Sequence, residues 1–144
     1  MKKVLFIVSM VLFATISAQA QSVLGKWVTI DDETNEKKSV VEVYERGGKI
    51  YGKVVKLFRK PGEDPDPVCD DCDEDDSRYM KKIMGMVIME GLSKDDDEYS
   101  GGTILKPSTG TVYRCKIWRS GEKLMVRGYV GFFYKTQTWL PYKE

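Results

Sequence analysis

Short runs of β-branched and aromatic residues, broken by glycine, proline or acidic turns, recur along most of this chain. The clearest is Gly110–Tyr129, GTVYRCKIWRSGEKLMVRGY, which reads as a β-hairpin joined at Ser120-Gly121. Period-two alternation puts Tyr113, Cys115 and Ile117 on one face, taken as inward, with Arg114 and Lys116 opposite. In the second arm Leu124, Val126 and Gly128 share a face, and Met125, Arg127 and Tyr129 share the other.

Further runs flank this hairpin. Gly25-Lys26-Trp27 leads into Val28-Thr29-Ile30 and a turn over Asp31–Asn35. Lys38–Glu45 and Lys49–Phe58 make a second hairpin around Gly47-Gly48, and Gly52 signals a bulge or bend within it. Lys82–Leu92 reads as a strand with apolar residues on both faces, followed by an acidic turn at Ser93–Glu98. Tyr99–Lys106 and Phe132–Leu140 complete the set. The spacing predicts about eight antiparallel strands and no helix in the exported portion. That pattern fits a single small antiparallel β-barrel, with a β-sandwich as the alternative.

The segment Arg59–Met80 interrupts the pattern. Pro61, Pro65 and Pro67 exclude a regular helix or a central strand, so it reads as a long loop. It carries Cys69 and Cys72 and is strongly acidic from Asp64 to Asp76.

Residues 1–20 carry an export signature. Lys2 and Lys3 precede an apolar stretch at Val4–Ile16, and Ala18-Gln19-Ala20 is a small-x-small cleavage pattern. Cleavage before Gln21 leaves residues 21–144 as one domain, periplasmic or secreted and not an integral membrane protein. The absence of cysteine at the cleavage point argues against a lipoprotein. Losing Lys2 and Lys3 leaves 21 basic residues against 22 acidic ones, a net charge of −1. That offers no overall attraction to nucleic acid or anionic lipid.

The 144 residues include no histidine. This removes Ser-His-Asp and Cys-His catalysis and every His-ligated zinc site. With no catalytic motif present either, the sequence weighs against an enzyme and points to no cofactor. Cys69, Cys72 and Cys115 are disulfide candidates in an oxidising compartment, with the local Cys69–Cys72 pair narrowly favoured and pairings to Cys115 open. A redox dithiol is disfavoured, because the neighbouring carboxylates raise thiol pKa values. A lone CxxC lacks the second pair of a zinc site. The acidic runs lack EF-hand spacing and read as solvated charge.

Taken in order, Gly25-x-Trp27, Thr29-Ile30-Asp31-Asp32, Tyr51-Gly52-Lys53, Cys69-x-x-Cys72, Gly101-Gly102-x-Ile104, Tyr113-x-Cys115-Lys116, Val126-Arg127-Gly128-Tyr129 and Thr136-Gln137-Thr138-Trp139 resemble the bacterial family catalogued as domain of unknown function 2147 (DUF2147). The resemblance covers nearly all of the exported portion. It implies a small exported protein with a lipocalin-like barrel, no assigned activity and no catalytic residue. By the same resemblance Arg127 would stack on Trp27 at the closed end of the barrel, a structural role.

Trp27, Tyr51, Tyr113, Arg127, Tyr129 and Trp139 are the candidates for lining a ligand pocket. The favoured function is a non-enzymatic exported barrel that binds a small hydrophobic or amphipathic ligand or a cell-envelope component. The alternative is an envelope protein–protein interaction module that uses the acidic, cysteine-containing loop.

Overall fold

The computed structural model describes residues 21–144; the export signature at 1–20 lies outside the described residues. Eight strands follow in order: β1 (Gly25–Ile30), β2 (Lys37–Arg46), β3 (Lys49–Leu57), β4 (Val87–Asp95), β5 (Glu98–Lys106), β6 (Thr111–Ser120), β7 (Lys123–Val130) and β8 (Phe133–Pro141). Each pairs antiparallel with its neighbours, and β1 meets β8 to close the barrel. No helix occurs among the described residues. The up-and-down barrel is therefore the observed architecture, and the sandwich is not.

Alternation explains the interior. Inward positions bring Trp27, Val41, Val43, Ile50, Met89, Leu92, Cys115, Ile117, Leu124 and Trp139 into one buried cluster. Removing such side chains from water stabilises by roughly 1.5–3 kcal/mol each. Gly52 lies where the β3–β4 register shifts, in keeping with the bend expected there. A Cβ at Gly52 would sit 3.1 Å from both Met89 and Val41, so the strand crosses the core closely at that point.

Besides shifts of a residue or so at several strand ends, two turns and the start of β4 differ from the sequence expectation. The β6–β7 turn is Gly121-Glu122, one residue later, because Ser120 still pairs with Lys123. The second acidic turn narrows to Asp96-Asp97, because Asp95 and Glu98 remain paired. The fourth strand begins at Val87 rather than Lys82. Lys82 instead pairs with Val68, and Ile83 N–H donates to the Pro67 carbonyl at 3.0 Å. The long β3–β4 connection thus folds back on itself as a small hairpin, which uses up residues that an apolar count assigns to β4.

Alternating connections sort to opposite ends. The turns at Gly47-Gly48, Asp96-Asp97 and Gly121-Glu122 share one end with Val23 and Trp27. Trp27 closes that end: its indole N–H donates to the Val23 carbonyl at 3.0 Å. The Arg119 guanidinium lies 5.0 Å from its ring centroid. The other end carries the connections after β1, β3, β5 and β7, and there the barrel opens.

Arg78 pins the long connection to β4. It donates two hydrogen bonds to Asp76, at 2.9 and 2.8 Å, and one to the Val87 carbonyl at 3.2 Å. Both side chains are largely buried, with 15% and 16% exposure. These bonds, together with the Arg78 backbone N–H, lower the Asp76 pKa from 3.8 to about 2. A lowered folded pKa adds stability above the unfolded value, and that stability is lost as pH falls through the folded one. Arg78→Ala is therefore expected to cost about 2 kcal/mol at neutral pH, the scale of charge-assisted hydrogen bonds. The gap between wild type and variant should narrow between pH 4 and pH 2. Urea unfolding at a series of pH values measures it, and a gap unchanged at pH 2 would refute the role given to Asp76.

Candidate functional site

The open end leads into a cleft of about 640 Å³. Its walls come from neighbouring strands: Val54 on β3, Ile88 on β4, Ile104 and Leu105 on β5, Tyr113 on β6, Val126 and Gly128 on β7 and Trp139 on β8. Below it the barrel is filled, since Met89, Leu92, Ile117 and Leu124 are fully buried. The interior is thus solid in its closed half and hollow in its open half.

The rim is polar and carries both signs of charge. Asp31 accepts from the backbone N–H groups of Thr34 and Glu33, at 3.0 and 2.9 Å, and stands 3.6 Å from Lys38 Nζ. The two backbone bonds, with Lys38 adding a smaller effect, lower the Asp31 pKa to about 2 and keep it ionised. Asp32 accepts from Gln137 Nε2 at 2.8 Å and pairs with Lys135 Nζ at 3.1 Å. Gln137 Oε1 in turn accepts the Trp139 indole N–H at 3.1 Å. Just inside the rim, Thr29 and Ser39 share a hydroxyl hydrogen bond of 2.7 Å.

These contacts span a narrow seam. The β1–β8 register pairs only Trp27 with Pro141 and Val28 with Leu140, both near the closed end. Toward the mouth the two strands part, and Asp32 bridges the gap through Gln137 and Lys135.

The long connection forms the opposite wall of the mouth. Pro67, Val68, Asp70, Asp71 and Ile83 line the cleft. Cys69 and Cys72 are joined by a disulfide, and both are buried in the core cluster. Cys69 also lies against the Pro107 carbonyl in the β5–β6 turn. Closing this short loop restricts the unfolded chain by about 2 kcal/mol on the chain-entropy model. Replacing both cysteines by alanine is expected to lower unfolding stability by about that amount, measured by urea denaturation. No loss of stability would mean that packing alone holds the loop.

Cys115 is free and buried, and burial pushes its thiol up to about 12. It is a small inward residue of β6 and not an anchor for the loop. The acidic loop residues are partly engaged by the protein itself: Asp66 pairs with Lys82, Asp76 with Arg78, and Asp64 and Asp73 accept from nearby backbone N–H groups. Among the described residues, no three His, Cys, Asp or Glu side chains gather closely enough to hold a metal ion.

The sequence-derived pocket candidates divide between inside and outside. Tyr113 and Trp139 line the cleft. Trp27 belongs to the closed end. Tyr51 stacks on Tyr44 on the outer face, with ring centroids 5.9 Å apart. Arg127 and Tyr129 are also on the outer face. Arg127 lies 4.9 Å from the Trp118 ring and 4.4 Å from that of Tyr134, so the arginine over Trp27 is Arg119 and not Arg127. The reason is strand parity: Val126 and Gly128 face inward, so their neighbours cannot. Rim residues Asp32, Lys38, Lys135 and Gln137 were absent from the candidates. Lys135 and Gln137 share the parity of buried Trp139, and a polar residue of inward parity near a strand end is the signal that finds a rim.

Comparison with solved structures shows similarity to a Helicobacter pylori protein described as belonging to the lipocalin family. The two share 20% sequence identity with a TM-score of 0.71, covering 85% of this chain and 84% of that one. At that identity the likeness establishes the fold, a lipocalin-like barrel. A search of curated proteins gives no match. The family model described as an uncharacterized protein conserved in bacteria (DUF2147) matches residues 25–140, from the start of β1 almost to the end of β8, and the chain belongs to that family.

Proposed function

We propose that this is an exported, non-enzymatic barrel, processed before Gln21, that binds a small amphipathic molecule in the open-end cleft. The observation that carries this reading is a cleft of about 640 Å³ with apolar walls beneath a polar rim. Sites for small molecules span roughly 300–1,000 Å³ and combine apolar walls with a few placed polar groups. The apolar part of the ligand would lie against Trp139, Val126 and Ile104, and its polar part between Lys38, Asp31, Asp32 and Lys135. The rim charges already pair with one another, which suits a zwitterionic or uncharged polar group better than a strongly charged one. The interaction-module reading is weaker, because several loop acids are spent on contacts within the loop.

Native mass spectrometry of the protein purified from the cells that export it tests the reading directly, with a bound small mass expected. Binding of a fluorescent apolar probe should fall at least tenfold in Val126→Trp, which fills the cleft, and in Ile83→Trp, which narrows its mouth from the half-buried loop side. A bare mass, with probe binding equal in wild type and in a folded Ile83→Trp variant, would sink it.

A further inference from the structure

We propose that the β7–β8 hairpin tip and the outer face of β6–β8 form a docking surface for an anionic lipid bilayer. The tip places Val130, Phe132, Phe133 and Tyr134 in solvent, with exposures of 50%, 102%, 82% and 62%. Scattered apolar residues on a surface are ordinary, but contiguous aromatic exposure on a protruding turn is not. Phe132 and Phe133 have no role in the core, and they stand at the same end of the barrel as the cleft mouth.

Below the tip, the outer face carries a row of cations and aromatic rings. Arg114, Tyr129 and Tyr134 are cross-strand neighbours, as are Lys116, Arg127 and Thr136. The Arg114 guanidinium lies 5.8 Å from the Tyr129 ring, and Arg127 lies between Trp118 and Tyr134. Neither Arg114 nor Arg127 forms a salt bridge among the described residues. Aromatic side chains with one apolar and one polar end suit the headgroup boundary of a bilayer, and arginines without a carboxylate partner suit its phosphates, although Arg127 also donates to the Thr136 hydroxyl at 2.8 Å.

Charge is segregated around the barrel in the same sense. Residues 111–144 hold seven basic and two acidic side chains, whereas residues 21–110 hold fourteen basic and twenty acidic ones. The near-neutral total conceals a basic excess on β6–β8 and an acidic excess in the connection between β3 and β4, while β3 itself carries Lys49, Lys53 and Lys56 and no acid. An anionic surface would orient the molecule side-on, with β6–β8 toward it and the acidic connection on the far wall of the mouth. Phe132 and Phe133 would then enter the boundary region from the β7–β8 edge of the open end.

Flotation of the purified protein with vesicles tests this. The vesicles are phosphatidylcholine alone or phosphatidylcholine with phosphatidylglycerol, and the protein comes from the full chain with its N-terminus read by intact mass. Binding is expected to the phosphatidylglycerol vesicles and to weaken with salt. Phe132→Ser/Phe133→Ser should reduce it at least tenfold. Arg114→Gln/Arg127→Gln should reduce it by about fivefold per arginine on anionic vesicles and little on neutral ones. Phe132→Trp should show blue-shifted emission, quenched by brominated lipid. Val126→Trp, which fills the cleft, should float as wild type does, so the outcome is separable from ligand binding. The Phe132/Phe133 variant decides alone if the arginine variant fails to fold, since both rings lie in solvent and neither belongs to the core cluster. The inference is overturned by no flotation, by equal flotation of wild type and the Phe132/Phe133 variant, or by loss in that variant only of a concentration-dependent oligomer.

Discussion

Trp139→Ala is expected to destabilise the barrel by about 3–5 kcal/mol, the range for truncating a large buried aromatic side chain. Trp139 is 2% exposed and stands between the filled floor and the cleft above it. Two losses combine. The indole leaves a void that the surrounding strands cannot collapse, because their hydrogen-bonded ladders fix their spacing. Its N–H bond to Gln137 also disappears, which frees Gln137 to swing away from Asp32 and loosens the β1–β8 seam. A drop in thermal midpoint of roughly 10–20 °C corresponds to that cost for a barrel of this size. Trp139→Phe retains most of the volume and should recover more than half of it. The variant should also take up an apolar probe in the enlarged cleft. A loss below about 1 kcal/mol would show that the floor is not packed as described.

Gly110→Ala should be nearly as damaging, by a different route. Gly110 has φ +70°, and a Cβ there would overlap the backbone carbonyl of Asp71. Backbone cannot rotate away as a side chain can, so the β5–β6 turn and the disulfide loop would have to separate. The expected cost is about 2–4 kcal/mol, from backbone strain and the lost loop packing together. Gly121→Ala is the control. Its φ is similar at +59°, but nothing lies within 4 Å of the added carbon, so it should cost about 1 kcal/mol. Limited proteolysis should cut Gly110→Ala between Arg59 and Met80 and spare both wild type and Gly121→Ala. Equal protection in all three would mean that the loop does not rest on this turn.

The two substitutions mark the boundary between what residues reveal locally and what they do not. Alternation around Cys115 and Val126 identifies the inner face of β6 and β7 without any coordinates, because successive side chains of a strand must point to opposite faces. Arg127 and Tyr129 are outward by that same rule. Counting aromatics without their parity is what draws them toward a pocket. The start of β4 is harder to read. Ile83, Met84 and Met86 are apolar enough for a strand, yet Lys82 and Ile83 pair with Val68 and Pro67 inside the loop. An apolar run does not state which partner it will take.

From the sequence alone came the eight strands, their antiparallel hairpins, the bend at Gly52 and the preference for a local Cys69–Cys72 pair. All of these depend on contacts among residues close in the chain, where pattern and turn chemistry act directly. Closure of β1 onto β8 needed the tertiary structure, because it depends on the accumulated tilt and bulges of every strand between them. So did the division of the interior into a filled floor and an open cleft, which turns on how side-chain volumes from opposite walls meet. The seating of the acidic loop against Gly110 is of the same kind. Which turn a long loop comes to rest on depends on residues far apart in the chain, and no local pattern states it.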